Sequence, residues 1–292
     1  MVRLAVTTTS ETYERLQEPL GERAVSVDHL QVDERAVALT VDDAPWNPTD
    51  FDVGYVYPSR LMEGGVADPW LDVPWVNGAA DVLRSRNKGG VLSRLAAAGV
   101  SVPESVLVSN PVDESTLREV FDRFDGPVVV KPNSTTRGVG VARADDLDSF
   151  LGIVDYLGLV HDFVATGDKS FLVQEYLRGA RDLRVMVIDG TYAGAVERRL
   201  PDRARDAGQW KHNVHRGAVA TGIQPDASVR RLAETVAAEL DLALVGVDIL
   251  VTDDRALVSE TNARPTIDDA TKYEPGFFDR LADLIKRTAG KP

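Results

Sequence analysis

Asp248, Glu260 and Asn262 are the residues of this chain best suited to hold a cation. They lie in two apolar alternating runs, Val245 to Val251 and Ala256 to Thr261, on either side of Thr252-Asp-Asp-Arg255. That pattern predicts a β-hairpin. A turn centred near Asp254 brings Asp248 opposite or diagonal to Glu260. Glu260 and Asn262, two residues apart, then share a face. Two carboxylates and an amide oxygen form an all-oxygen donor set, which suits magnesium, with manganese as a substitute. The hairpin alone also fits a solvated acidic face, and the choice between the two depends on the rest of the chain.

A second chemical signal lies at Pro127 to Val141, where the apolar run Val128 to Val130 delivers Lys131 into a small, polar, glycine-bearing loop. Backbone N–H groups in such loops approach phosphate oxygens, and a lysine at the strand end adds a point charge. The segment is not a Walker A loop, and Gly138 and Gly140 lack the third glycine of a dinucleotide fingerprint. A plain turn with a surface lysine is the competing reading. Lys88 opens another stretch, Asn87 to Ala98, whose Val91, Leu92, Leu95 and Ala98 recur at helical spacing before Gly99 ends the helix.

Between these signals, Ser170 to Gly179 reads as a buried strand running into a polar crossing, and Arg181 to Ile188 as the next strand. Backbone groups around Glu175 to Leu177 could read an adenine edge, and Asp182 could take sugar hydroxyls. Ala195-Val-Glu-Arg-Arg199 ends in two arginines, and Trp210-Lys-His-Asn-Val-His-Arg-Gly217 is rich in donors without a hydrophobic period, as an anion-handling loop would be. His212 and His215 have no carboxylate or cysteine partner at zinc spacing.

In this order the segments resemble the ATP-grasp superfamily, specifically its RimK-type carboxylate–amine ligases. The resemblance rests on Ser85-Arg-Asn-Lys88, Val128-Val-Val-Lys131, Val173-Gln-Glu-Tyr176, Arg181-Asp-Leu-Arg184, Glu197-Arg-Arg199, Asn213-Val-His-Arg-Gly217 and Val247-Asp248 followed by Glu260-Thr-Asn262, and spans about residues 70 to 290. It implies an α/β fold of the α+β ATP-grasp kind: an N-terminal α/β domain (1–78), then two α+β subdomains (79–170 and 171–292) clasping ATP between antiparallel sheets. It also implies that Lys88 and Lys131 contact ATP phosphates, Glu175 and Tyr176 the adenine, and Asp182 the ribose. Lys211 and Asn213 would face the nucleotide and the reacting carboxylate, while Asp248, Glu260 and Asn262 hold magnesium. Arg199 is the first candidate for stabilising an acyl phosphate, with Arg198 its rival. The implied reaction joins a small-molecule or peptide carboxylate to an amine, L-glutamate by resemblance, and releases ADP and phosphate. A small-molecule kinase and a non-catalytic ATP-binding module are the alternatives.

The chain departs from the family pattern at several points. Thr135 stands where a glycine is common in the phosphate loop, and Lys211 where an arginine is common. The hinge from Glu175 to Asp182 is short. After Asn262 the chain reads Ala-Arg-Pro-Thr-Ile-Asp-Asp without the usual glycine after the proline, which touches the expected acceptor site.

The elements that must position these residues follow from hydrophobic periodicity. Strands are expected at Leu4 to Thr8, Ala36 to Val41 and Val53 to Val56, and helices at 146–160, Ala227 to Leu240 and Phe277 to Thr288. With 43% hydrophobic residues in 292, the chain can bury a substantial core. No apolar run approaches the ~18 residues of a membrane span, and the N-terminus reads as a strand, so a cytoplasmic enzyme is expected. A net charge of −13 argues against nucleic-acid or anionic-membrane partners and leaves homo-oligomerisation open. Cysteine is absent, which excludes thiolate chemistry. Of 46 acidic residues 31 are aspartate, and only 7 of 33 basic residues are lysine. That balance points to a halophile's surface ahead of GC-driven drift. It also makes three lysines at motif positions harder to ascribe to chance.

Overall fold

A computed structural model describes residues 1–7, 11–32, 36, 50–135, 138–163, 168–212, 214 and 217–290. Apart from its first residue, the strand expected from Ala36 to Val41 lies outside them. The chain opens with β1 (Val2–Val6), α1 (Glu11–Gly21), β2 (Val25–His29), β3 (Val53–Tyr55), α2 (Leu61–Leu71) and β4 (Trp75–Val76). The strands form a parallel sheet in the order β2-β1-β3-β4. Parallel strands covered on both faces read as continuous apolar runs, and Leu4, Ala5 and Val6 are all fully buried.

Two helices follow, α3 (Ala79–Arg86) and α4 (Lys88–Ala97), and the Asn87 side chain caps α4 by accepting from the Gly90 N–H. Next come β5 (Ser105–Ser109), α5 (Glu114–Phe121), β6 (Val128–Pro132), β7 (Ala142–Ala144), α6 (Leu147–Phe163) and β8 (Ser170–Glu175). These strands form an antiparallel sheet, β5-β8-β6-β7. Its core draws only on its own residues, among them Leu117, Val128, Val130, Phe150 and Phe171.

The remainder comprises β9 (Arg181–Ile188), β10 (Thr191–Arg199), α7 (Asp202–Asp206), β11 (Val219–Ile223), α8 (Ala227–Leu240), β12 (Leu244–Val251), β13 (Ala256–Asn262) and α9 (Phe277–Thr288). Helices α8 and α9 have the expected bounds. The strands make a second antiparallel sheet, β11-β10-β9-β12-β13. Val229, Ala233, Val236, Ala237 and Leu240 of α8 pack on one face of it, against Leu183, Val185, Val247 and Ile249. Val82, Val91 and Leu95 of α3 and α4 join that same cluster, so residues 79–97, expected with the first subdomain, pack with the second. An amphipathic helix buries its stripe wherever the matching apolar face lies, which local sequence does not reveal.

On the other face the strands change character along their length. The β9 residues Asp182 and Arg184 are polar, while Met186 and Ile188, on the same face, enter the core shared by the N-terminal sheet and α9. Along β12, Leu244 enters that core and Asp248 does not. Asn77 fastens the junction, its amide donating to the Ala263 carbonyl (2.9 Å) and to that of Leu244. Among the described residues no helix is long and apolar enough to cross a membrane.

Candidate functional site

A cleft of about 650 Å³ separates the two antiparallel sheets. One wall comes from β6, β8 and the hinge after β8, and the other from β9, β10, β12 and β13. The cleft is lined by Lys131, Glu175, Tyr176, Asp182, Arg198, Arg199, Lys211, Asp248, Glu260 and Asn262. Two expected residues are not among these. Lys88 is buried behind the wall, and Asn213 lies outside the described residues.

The hairpin of β12 and β13 has the predicted turn, closed by the Thr252 N–H donating to the Arg255 carbonyl at 2.9 Å. Pairing runs regularly from Val251 with Ala256 to Ile249 with Val258, then skips Ser259 so that Asp248 faces Glu260. That bulge is decisive. In unbroken register Asp248 would pair with Ser259, and Glu260 would point to the opposite face. The extra residue puts both carboxylates on the cleft side, with Asn262 two positions further on.

Asp248 is held by the Arg184 guanidinium through both oxygens (2.7 and 2.8 Å) and by Arg198 at 3.1 Å. Burial works to raise its pKa, but the two arginines prevail and hold it at about 2. Arg198 also binds Asp182 at 2.5 Å, and His212 Nδ1 stands 3.9 Å from the same carboxylate. Burial raises Asp182 in spite of Arg198, and lowers His212. Arg199, next along β10, points to the other strand face. It pairs with Glu197 at 2.8 Å, which Arg181 also grips through two bonds of 3.0 and 2.9 Å. With 69% of its side chain exposed, against 11% for Arg198, Arg199 is peripheral to the carboxylate cluster.

The donor set fits a magnesium ion. The three guanidinium bonds to Asp248 leave a carboxylate lone pair on Oδ1 unused, and the Glu260 carboxylate has Lys88 Nζ at 3.8 Å. Asn262 Nδ2 is buried without a hydrogen-bond partner. The two ends of that amide are assigned by their surroundings, so the unpartnered end can equally be the oxygen. Among the described residues no three acidic or histidine side chains form a metal cage. Two carboxylates and an amide are the sparse set that magnesium uses when phosphates complete its shell.

Across the cleft, Lys131 Nζ donates to Gln174 Oε1 at 2.8 Å and reaches the Ser259 carbonyl at 3.5 Å. Burial lowers its pKa to about 8, against the pull of Glu260. At the hinge, the Glu175 carboxylate accepts from the Glu104 N–H (2.9 Å) and pairs with Arg255 at 3.1 Å. The Glu175 and Tyr176 N–H groups are also engaged, by the Glu104 and Pro127 carbonyls. The N–H groups of Leu177, Arg178 and Gly179 have no backbone acceptor among the described residues, and Leu177 is the first of these hinge donors. Over the cleft mouth, Lys211 Nζ donates to the Val141 carbonyl, and Trp210 meets Tyr176 edge-on at 5.8 Å.

A RimK-like ATP-grasp domain profile matches residues 85–276. The chain belongs to the RimK-like ATP-grasp family. It is 32% identical over 196 residues to a probable alpha-L-glutamate ligase of Pectobacterium carotovorum, covering 66% of this chain and 60% of the relative. It is 31% identical over 201 residues to the ribosomal protein bS6–L-glutamate ligase of Escherichia coli, covering 68% and 62%. The chain thus spans about three-fifths of these relatives' length. The fold matches a Bacillus anthracis D-alanine–D-alanine ligase complexed with ATP (TM-score 0.71, 16% identity, 99% and 97% of the two chains). It also matches a RimK domain ATP-grasp protein from Sphaerobacter thermophilus (TM-score 0.67, 20% identity, 99% and 98%).

Within this ATP-grasp frame, sequence reasoning singled out neither Arg184 nor Gln174 as a site residue. Arg184 had a signal, since it lies two residues beyond Asp182 and so on the same strand face. Gln174 had none, because its contact with Lys131 is set by the pairing of β6 with β8.

Proposed function

We propose that the chain is an ATP- and magnesium-dependent ligase that joins a carboxylate to an amine through an acyl phosphate. The observation that carries this reading is the facing of Asp248, Glu260 and Asn262 by Lys131 across one cleft of an ATP-grasp fold. The adenine would lie at the hinge against the Leu177 N–H, the ribose near Asp182, and the phosphates at Lys131 and the loop after it. Lys88 would add charge from behind that loop. Magnesium, held by Asp248, Glu260 and Asn262, would neutralise charge on the transferring phosphoryl group.

Arg198, not Arg199, would stabilise the acyl phosphate, because it shares the strand face of Asp182, Arg184 and Asp248. Its pairing with two carboxylates fixes the guanidinium before substrate arrives, so little reorganisation is left for the reaction. Lys211 at the cleft mouth would screen the reacting groups from water. The relatives named as glutamate ligases support L-glutamate as the amine and a peptide or small acid as its partner.

Hydroxylamine trapping tests the reaction type. The protein is incubated with ATP, magnesium and a panel of carboxylates, including glutamyl peptides, and ADP and hydroxamate are followed together. Hydroxamate formed in step with ADP is the expected result. A stable phosphorylated alcohol would instead identify a kinase, and nucleotide binding without turnover across the panel would identify a binding module.

A further inference from the structure

Asn133 stands two residues beyond Lys131, is 7% exposed, and binds across to the start of α4 with both ends of its amide. Its Oδ1 accepts from the Gly89 N–H at 2.8 Å, and its Nδ2 donates to Asn87 Oδ1 at 3.0 Å. Asn87 is the residue whose same oxygen caps the helix through the Gly90 N–H at 3.0 Å. The backbone joins in: the Lys88 N–H donates to the Asn133 carbonyl at 3.3 Å, and the Asn133 N–H to the Ser170 carbonyl at 3.1 Å. Lys88 Nζ then reaches the Asn133 carbonyl at 3.4 Å and that of Thr135, within the phosphate loop.

Gly89 is part of the same contact. A Cβ there would lie 3.3 Å from Asn133 Oδ1 and 3.1 Å from Leu107 Cδ1, so any side chain at this position would press on the Asn133 contact. The helix start and the loop are therefore joined by side chain, main chain and lysine together. One end of the joint carries Lys88, and the other follows Lys131.

We propose that Asn133 is a positioning residue that locks the start of the phosphate loop, residues 133–135, to the N-terminus of α4, so that Lys88 and Lys131 act on the nucleotide's terminal phosphates as one rigid unit. This rests on the nucleotide reading above. Asn133 acts through Lys88 and the start of α4, which it holds against the loop. Its loss should weaken binding only of ligands that reach the β- and γ-phosphates, leaving the hinge end untouched.

The test is a calorimetric comparison of AMP and a non-hydrolysable ATP analogue, with magnesium, on wild type, Asn133→Ala and Gly89→Ala. Losing two hydrogen bonds at a buried joint should weaken the analogue about tenfold in Asn133→Ala, with AMP unchanged. Gly89→Ala should shift the same ratio in the same direction by less, and it carries the test if Asn133→Ala fails to fold. Equal weakening of both nucleotides, or of neither, in the folded variants would overturn the proposal. Wild type that binds neither nucleotide would remove the nucleotide reading and this inference with it, whereas wild-type binding with an unmoved ratio removes the inference alone.

Discussion

The two walls of the cleft are built on opposite electrostatic plans. On the β6–β8 side Lys131 is hydrogen-bonded to an amide and a carbonyl, with no carboxylate in contact among the described residues, and burial drives its pKa down to about 8 against the pull of Glu260. On the β9–β13 side Asp182, Arg184, Arg198 and Asp248 neutralise one another at 2.5 to 3.1 Å. The first wall is short of anions, so an incoming phosphate would complete it. The second is paired within itself, and Asn262 Nδ2, the Arg198 Nε–H and one Asp248 lone pair stay without a hydrogen bond beside Glu260. One wall should therefore respond strongly to ligand and the other to mutation.

The largest expected effect is on the networked wall. Arg198→Ala leaves Asp182 and Asp248 without their shared counter-charge in a buried setting, and should cost about 3–5 kcal/mol of stability, read by denaturant unfolding. Arg199→Ala, on an exposed side chain, should cost far less. Equal losses would erase the distinction drawn between neighbouring arginines.

Next comes Lys131. Lys131→Ala should weaken binding of a non-hydrolysable ATP analogue by about tenfold or more, the scale of a charge-assisted hydrogen bond, while Lys169→Ala, away from the cleft, changes it little. Titration calorimetry compares them. Similar affinities would make the loop an ordinary turn.

A third effect concerns acid. Glu197 is held at about 2, chiefly by its hydrogen bonds to Arg181 and Arg199. A depressed carboxylate contributes stability above its unfolded pKa, and the contribution is lost as pH falls from about 4.5 towards 2. Wild type should thus lose stability across that window more steeply than Glu197→Gln, as melting temperatures against pH would reveal. Because Arg181 and Arg199 are half or more exposed, the effect is modest. Parallel pH profiles would contradict it.

The smallest effect lies at the hinge. Glu175→Gln should weaken an exposed pair with Arg255, worth under about 1 kcal/mol, and leave nucleotide affinity unchanged, since the carboxylate is already engaged by Arg255 and the Glu104 N–H. A large loss of affinity would restore Glu175 to the adenine site.

The difference between the walls also explains what could be read before the fold was known. The hairpin, α8 and α9 were legible because a period of two, a polar turn and a helical stripe are local signals. The family motifs led to the cleft because Asp248, Glu260 and Asn262 sit on that hairpin and Lys131 on the apolar run of β6. The Ser259 bulge was not legible: it inserts one residue into an otherwise regular alternation, and only the pairing with β12 exposes it. Arg198 could not be preferred to Arg199 without knowing that β10 lies beside β9, which sets Arg198 across from Asp182. The burial of Lys88 was not legible either, since it comes from Asn133 and Thr135, more than forty positions away.

The most direct measurement of the two-wall account is the affinity of a non-hydrolysable ATP analogue with magnesium and with a chelator, for wild type, Lys131→Ala and Glu260→Gln. The account predicts that wild type binds more tightly with magnesium. Lys131→Ala should lose affinity under both conditions, and Glu260→Gln should lose only the increment that magnesium confers. A Glu260→Gln protein that keeps the full magnesium increment would contradict the assignment of the metal to the hairpin face.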